Sequence, residues 1–73
     1  MKQVNQELQE KFGDNLKKLR TDKGLSLRGL ASMCDLDDSN ISKIENGKVN
    51  IQLSTIFELA KGLDIEPKEL LNF

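Results

Sequence analysis

Between Leu36 and Gly47 the chain reads Leu-Asp-Asp-Ser-Asn-Ile-Ser-Lys-Ile-Glu-Asn-Gly. Asp38, Ser39, Asn40, Ser42 and Lys43 bring carboxylate, hydroxyl, amide and ammonium groups together there, mostly on short stems. The chemistry open to such a set is hydrogen-bonded recognition of another polar surface. A solvent-facing helix chosen for helicity alone would favour Glu, Lys, Gln and Ala, whereas Ser, Asn and Asp are poorer helix formers. Their clustering invites a functional reading; the plain alternative is that they are capping types gathered over a first turn. Catalytic constellations are missing. The chain has no His and a single Cys, which excludes a zinc site or a His-based triad. There is no phosphate-cradling glycine loop and no carboxylate pair set on an apolar wall. The sequence therefore predicts no enzyme, no metal, no cofactor and no small-molecule ligand. Cys34 falls on an apolar stripe and reads as a small core residue, with nothing basic beside it to lower its pKa.

The stretch is shaped to hold those side chains outward. Asp37 suits an N-cap, because its carboxylate can accept from the free amides of a first turn. Gly47 suits the left-handed position just past a helix end. Ile41 and Ile44 face one way, with Leu36 beneath them. The rest of the chain must supply the support. Seventy-three residues make one small domain. Three Phe, no Trp or Tyr, one Pro and few Gly suit a mostly helical chain. No apolar run is long enough to cross a bilayer, and Met1–Glu10 is too polar for a secretory signal. The lone Cys suits a reducing cytoplasm.

Taken in order, Val4, Leu8, Phe12, Leu16 and Leu19 follow helical spacing. A helix is predicted from about Phe12 to Lys23, with residues 1–11 either extending it or fraying, ahead of a domain spanning 12–73. Gly13 interrupts the pattern at a cost of about 1 kcal/mol relative to Ala. Lys17, Lys18, Arg20 and Lys23 load the C-terminal half, which suits the helix dipole, and Gly24 ends it. Ser26 is an N-cap for a short second helix carrying Leu27, Leu30, Ala31 and Cys34 and ending near Cys34. Asp35 then marks a tight turn of about three residues, where a left-handed conformation is expected. After the Leu36–Gly47 stretch and a loop over 48–51, Leu53, Ile56, Phe57, Leu59, Ala60 and Leu63 predict a well-buried helix from about Leu53 to Gly62. A last short helix has Pro67 at its first position and Glu69 near its positive end. No strand pattern or repeat is present. Two short helices joined by a tight turn among flanking helices make a helix-turn-helix. The second of the pair then lies in a major groove with its N-terminal residues at base edges.

From Phe12 to Leu71 the sequence resembles the Cro and phage-repressor (XRE-like) helix-turn-helix family. The resemblance rests on Phe12-Gly13, Leu16, Leu19-Arg20, Lys23-Gly24-Leu25-Ser26, Leu30-Ala31, Ile41-Ser42-Lys43-Ile44-Glu45-Asn46-Gly47, Ile56, Leu59-Ala60 and Leu63. The length is also similar to that of restriction–modification controller proteins. The resemblance implies an all-α, compact five-helix, lambda-repressor-like domain, a two-fold dimer and operator DNA. It also implies that Arg20 and Glu45 pair across the domain, tying the first helix to the recognition helix. Departures are visible: Leu27 stands where relatives usually have Gln, Gly29 for an acid, Asp35 for the turn Gly, and Asp38 where many place Gln, Arg or Thr.

On this reading Asp38, Ser39, Asn40 and Lys43 are base-edge residues. Asn can pair bidentately with adenine, Lys can donate to guanine, and an acid can accept from cytosine N4. Ser26, Arg28, Asn46, Lys48 and Asn50 are phosphate contacts; ordinary capping and solvation are their plain alternative. Ile65, Leu70, Leu71 and Phe73 are the expected dimer surface, or else they close the monomer's own core. Net charge is −1, from 11 basic and 12 acidic residues, so binding would rely on shape and a few placed groups. The expected function is a cytoplasmic, sequence-specific transcriptional regulator that binds a pseudo-palindromic operator in double-stranded DNA as a homodimer. The alternatives are an antitoxin-type module or a protein-interaction domain of the same fold. A randomised-site DNA pool separates them, because only a regulator enriches a symmetric motif.

Overall fold

The computed structural model describes residues 2–73, with side chains from Asn5 onward. Val4 of the first apolar stripe lies outside the described side chains. Five helices follow in order: α1 (Lys2–Asp22), α2 (Leu27–Ser32), α3 (Asp38–Glu45), α4 (Leu53–Leu63) and α5 (Pro67–Leu70). There is no strand among the described residues. The core joins Phe12 and Leu16 of α1, Leu30 of α2, Ile41 and Ile44 of α3, Leu59, Ala60 and Leu63 of α4, and Leu70 of α5. Every helix contributes, which suits a chain this short: no element can bury its apolar face alone.

α1 runs unbroken through Gly13, whose function is packing. A Cβ there would sit 2.6 Å from the Glu45 carbonyl oxygen and closer still to that of Ile44. The missing side chain lets the backbone of α1 lie directly on the C-terminal carbonyls of α3. Gly24 and Gly47 take positive φ, 72° and 68°, at the ends of α1 and α3. Ser26 caps α2 by accepting from the Gly29 N–H at 2.9 Å.

The link between α2 and α3 departs from the sequence expectation. α2 ends at Ser32, and the connection runs from Met33 to Asp37, longer than a three-residue turn. The Met33 and Cys34 N–H groups bond back to Leu30 and Ala31 at i→i−3 spacing, so the last turn tightens toward a 3₁₀ form before the chain reverses. Asp35 is not left-handed. Its N–H instead donates to Glu58 Oε1 of α4 at 2.9 Å, so a distant side chain secures the turn. The left-handed non-glycine among the described residues is Asp64, φ 57°, at the C-cap of α4.

α4 departs too. Leu53 is 71% and Phe57 55% exposed, so its apolar residues extend round to solvent instead of all facing inward. At α5, the Glu66 N–H donates to Glu69 Oε2 at 3.0 Å, the returning half of a capping box, around Pro67. Asn15 Nδ2 of α1 donates to the carbonyls of Glu69 and Leu70, both at 2.9 Å, stitching the first helix to the last. Leu70 is fully buried, so it belongs to the monomer's own core and is unavailable to a partner. Ile65 is partly buried against the same core, while Leu71 and Phe73 remain about half exposed.

Candidate nucleic-acid interface

α3 divides cleanly into two sides. Ile41, Ile44 and Glu45 are buried; Asp38, Ser39, Asn40 and Lys43 are exposed. The helix therefore stands half sunk, held by two isoleucines and one carboxylate, with its N-terminal polar residues clear of the protein.

Its placement is fixed by an ion pair through the domain. Arg20 Nε donates to Glu45 Oε2 at 2.6 Å and Arg20 Nη2 to Glu45 Oε1 at 3.0 Å, a two-pronged contact. Arg20 Nη1 donates to the Leu25 carbonyl at 2.7 Å, which fixes the entry into α2 as well. Both residues of the pair are buried. The Glu45 hydrogen bond, outweighing the opposing effect of burial, raises the Arg20 pKa above its ordinary value. One guanidinium thus registers α1, the α2 entry and α3 against each other.

The N-terminal end of α3 is preorganised. Asp37 Oδ1 accepts from the Asn40 N–H at 2.9 Å and from Ser39 Oγ at 3.2 Å. Asp38 takes no part in that cap. Its Oδ2 lies 4.0 Å from Arg28 Nε in the first turn of α2, an exposed pair bridging the two helices. Asn40 borders a groove of about 230 Å³ together with Asn50, Gln52 and Thr55.

The five residues read from sequence as phosphate contacts are arranged unequally. Ser26, Arg28, Lys48 and Asn50 are exposed on the entry to α2 and on the loop after α3. Asn46 is exposed, but its side-chain nitrogen turns back to the Ser42 carbonyl at 2.8 Å, closing its own helix. Sequence reasoning passed over Gln52 and Thr55. Gln52 occupies the N-cap of α4 without a side-chain cap bond, so the first amides of α4 open beside the groove that Asn40 lines. Such amides suit an anion. The signal was available, because Gln is a poor capping type at a predicted helix start.

Cys34 lies away from this surface, partly buried, with Sγ 3.4 Å from the Leu30 carbonyl. Burial pushes its thiol pKa up, the opposite of what a reactive cysteine needs. Among the described residues no group of His, Cys, Asp and Glu is placed to hold a metal. No described helix is long and apolar enough to cross a membrane.

A capped polar helix, seated on isoleucines and registered by a buried Arg–Glu pair after the turn that follows α2, defines a helix-turn-helix domain. The chain belongs to the helix-turn-helix family, whose profile matches residues 16–70. It is similar to the control protein C.BamHI of Bacillus amyloliquefaciens, 40% identical over 63 residues that cover 85% of this chain and 78% of that one. Among solved structures it is similar to the restriction-modification controller protein C.AhdI from Aeromonas hydrophila, with a TM-score of 0.82 and 48% identity. That match covers 85% of this chain and 94% of the other. It is also similar to the controller protein C.Esp1396I, solved as a tetramer in complex with its natural 35 base-pair operator. There the TM-score is 0.77 and the identity 30%, over 89% of this chain and 96% of that one.

Proposed function

We propose that this chain is a sequence-specific DNA-binding transcriptional regulator of the restriction–modification controller type, acting as a homodimer on a pseudo-palindromic operator. The observation that carries the reading is the two-sided α3: Asp38, Ser39, Asn40 and Lys43 stand in solvent while Ile41, Ile44 and Glu45 are buried. A major groove admits one α-helix and displays a donor and acceptor pattern distinct for each base pair. Exposed Ser26, Lys48 and Asn50, with the open amides of α4, supply contacts to the flanking phosphates, which fix register without reading sequence. Similarity to controller proteins, one of them solved on its operator, supports the same reading.

The dimer surface is formed from the apolar residues that the monomer leaves uncovered. Leu8, Leu71 and Phe73 line a groove of about 180 Å³ with Phe12, Ile44 and Ile51. Leu53 and Phe57 extend the apolar surface along α4. Two copies related by a two-fold axis place their recognition helices roughly 34 Å apart, one helical turn of DNA. Occupancy near a promoter then blocks polymerase or offers it a contact, in the cytoplasm, with no catalytic step. Dimerisation makes occupancy steep in protein concentration.

Selection from a randomised double-stranded DNA pool at two salt concentrations tests the proposal. A symmetric motif whose affinity falls with salt is the expected result. A pool that enriches nothing at either salt overturns it and favours an interaction domain.

A further inference from the structure

We infer that Arg28 reads a guanine base edge and that Asp38 positions Arg28 instead of contacting a base itself. This assignment rests on the DNA-binding reading above and specifies which side chain carries part of its selectivity.

Arg28 is the second residue of α2 and Asp38 the first of α3. Packing of Leu30 and Ile41 into one core holds the two helices at a fixed distance, so the pair reports the geometry of the whole motif. The contact is 4.0 Å, with the Arg28 side chain 90% exposed and that of Asp38 50% exposed. Neither side chain is engaged in holding the fold. The α3 cap is made by Asp37, which leaves the Asp38 carboxylate free for Arg28.

Electrostatics gives the pair its meaning. A bare carboxylate on the leading end of a helix that enters a polyanionic groove is repelled by the phosphates on both sides. Arg28 beside it offsets part of that repulsion. The guanidinium keeps most of its planar fork in solvent, because a single distant carboxylate oxygen engages only its Nε side. At 4.0 Å the carboxylate draws the guanidinium toward the α2–α3 junction and leaves its outer edge open for the bidentate contact to guanine O6 and N7, the commonest specific pairing in DNA recognition.

The test is selection from a randomised DNA pool with the full chain and its Arg28→Ala, Arg28→Lys, Asp38→Ala and double Ala variants, followed by affinity measurement on the selected site and its single-base variants. A wild-type chain that selects no motif overturns the DNA-binding reading and this assignment with it. Given a motif, Arg28→Ala and Asp38→Ala each lose about tenfold of preference for guanine at one shared base pair, and the double variant loses no more than either single one. Arg28→Lys keeps overall affinity but loses that preference, because a point charge lacks the fork. Three results overturn the assignment while leaving the DNA-binding reading intact. One is an even loss across all sequences on Arg28→Ala, the signature of a phosphate contact. Another is loss of preference at different base pairs for the two single variants, which makes Asp38 a reader in its own right. The third is unchanged preference on Asp38→Ala. Thermal melts accompany each variant, and Asp38→Asn, which removes the charge but keeps the shape, replaces Asp38→Ala if the latter melts lower.

Discussion

Substituting Gly13 by Ala sets two physical effects against each other, and the structure decides between them. In the middle of a helix Ala is favoured over Gly by about 1 kcal/mol, so propensity alone predicts a more stable protein. The added Cβ would lie 2.6 Å from the Glu45 carbonyl oxygen and 2.8 Å from its carbon, against the 3.4–4 Å of ordinary contact. Both partners are backbone, so no rotamer change relieves the overlap and the two helices must part. Overpacking of this kind costs typically about 1–3 kcal/mol. A gap of about 0.5–1 Å elsewhere along the seam also forfeits a quarter to a half of the contact attraction there. The seam contains Phe12 and Leu16 against Ile41 and Ile44, and the Arg20–Glu45 bond at 2.6 Å spans it. The upper part of that range, less the propensity gain, leaves a net loss of roughly 1–2 kcal/mol. For a domain of this size each kcal/mol moves Tm by about 4–8 °C, so Gly13→Ala should melt roughly 5–15 °C lower. Thermal unfolding followed by far-UV circular dichroism reads this directly. A Tm equal to or above that of the parent would refute the argument that α1 rests on the α3 carbonyls.

Glu45→Ala leaves Arg20 as a buried, unpaired cation, and the expected loss is roughly 3–5 kcal/mol, seen as lost folded protein along with lost DNA binding; a variant with an unchanged melting curve would remove the pair's role. Because the Arg20 pKa is raised on folding, the stabilisation from its charge is complete below the unfolded value and fades only as pH rises through the folded one. A urea titration should therefore show no contribution from Arg20 to the pH dependence of stability near neutrality. Asn15→Ala deletes two bonds to the Glu69 and Leu70 carbonyls, worth roughly 0.5–1.5 kcal/mol each, and should lower the urea midpoint without changing DNA sequence preference. Phe73→Lys, at an exposed apolar position, should shift sedimentation toward monomer while leaving the monomer's melt intact.

The parts legible in the sequence were those set by local chemistry. Ser26 and Asp37 make their own caps, Gly24 and Gly47 end their helices, and Pro67 opens α5, because each depends on a few neighbouring residues. The features that escaped depend on distant partners. Gly13 reads as a helix defect until the α3 carbonyls are brought against it. Asp35 needs no left-handed backbone once Glu58 reaches over from α4. In α4 the apolar residues surround so much of the helix that spacing alone could not say that Leu53 and Phe57 face outward. At the interface, sequence reasoning weighed Arg28 and Asp38 separately, and only the folded α2–α3 unit sets them 4.0 Å apart.

Amide shift mapping by NMR tests the account most directly: the labelled chain is titrated with its selected operator. The largest changes should fall on Ser39, Asn40 and Lys43 of α3 and on Arg28 and Asp38 at the α2–α3 junction, with smaller ones at Ser26 and the start of α4. If those residues stay silent and the changes gather on Leu8, Leu71 and Phe73, α3 is not the surface that meets DNA.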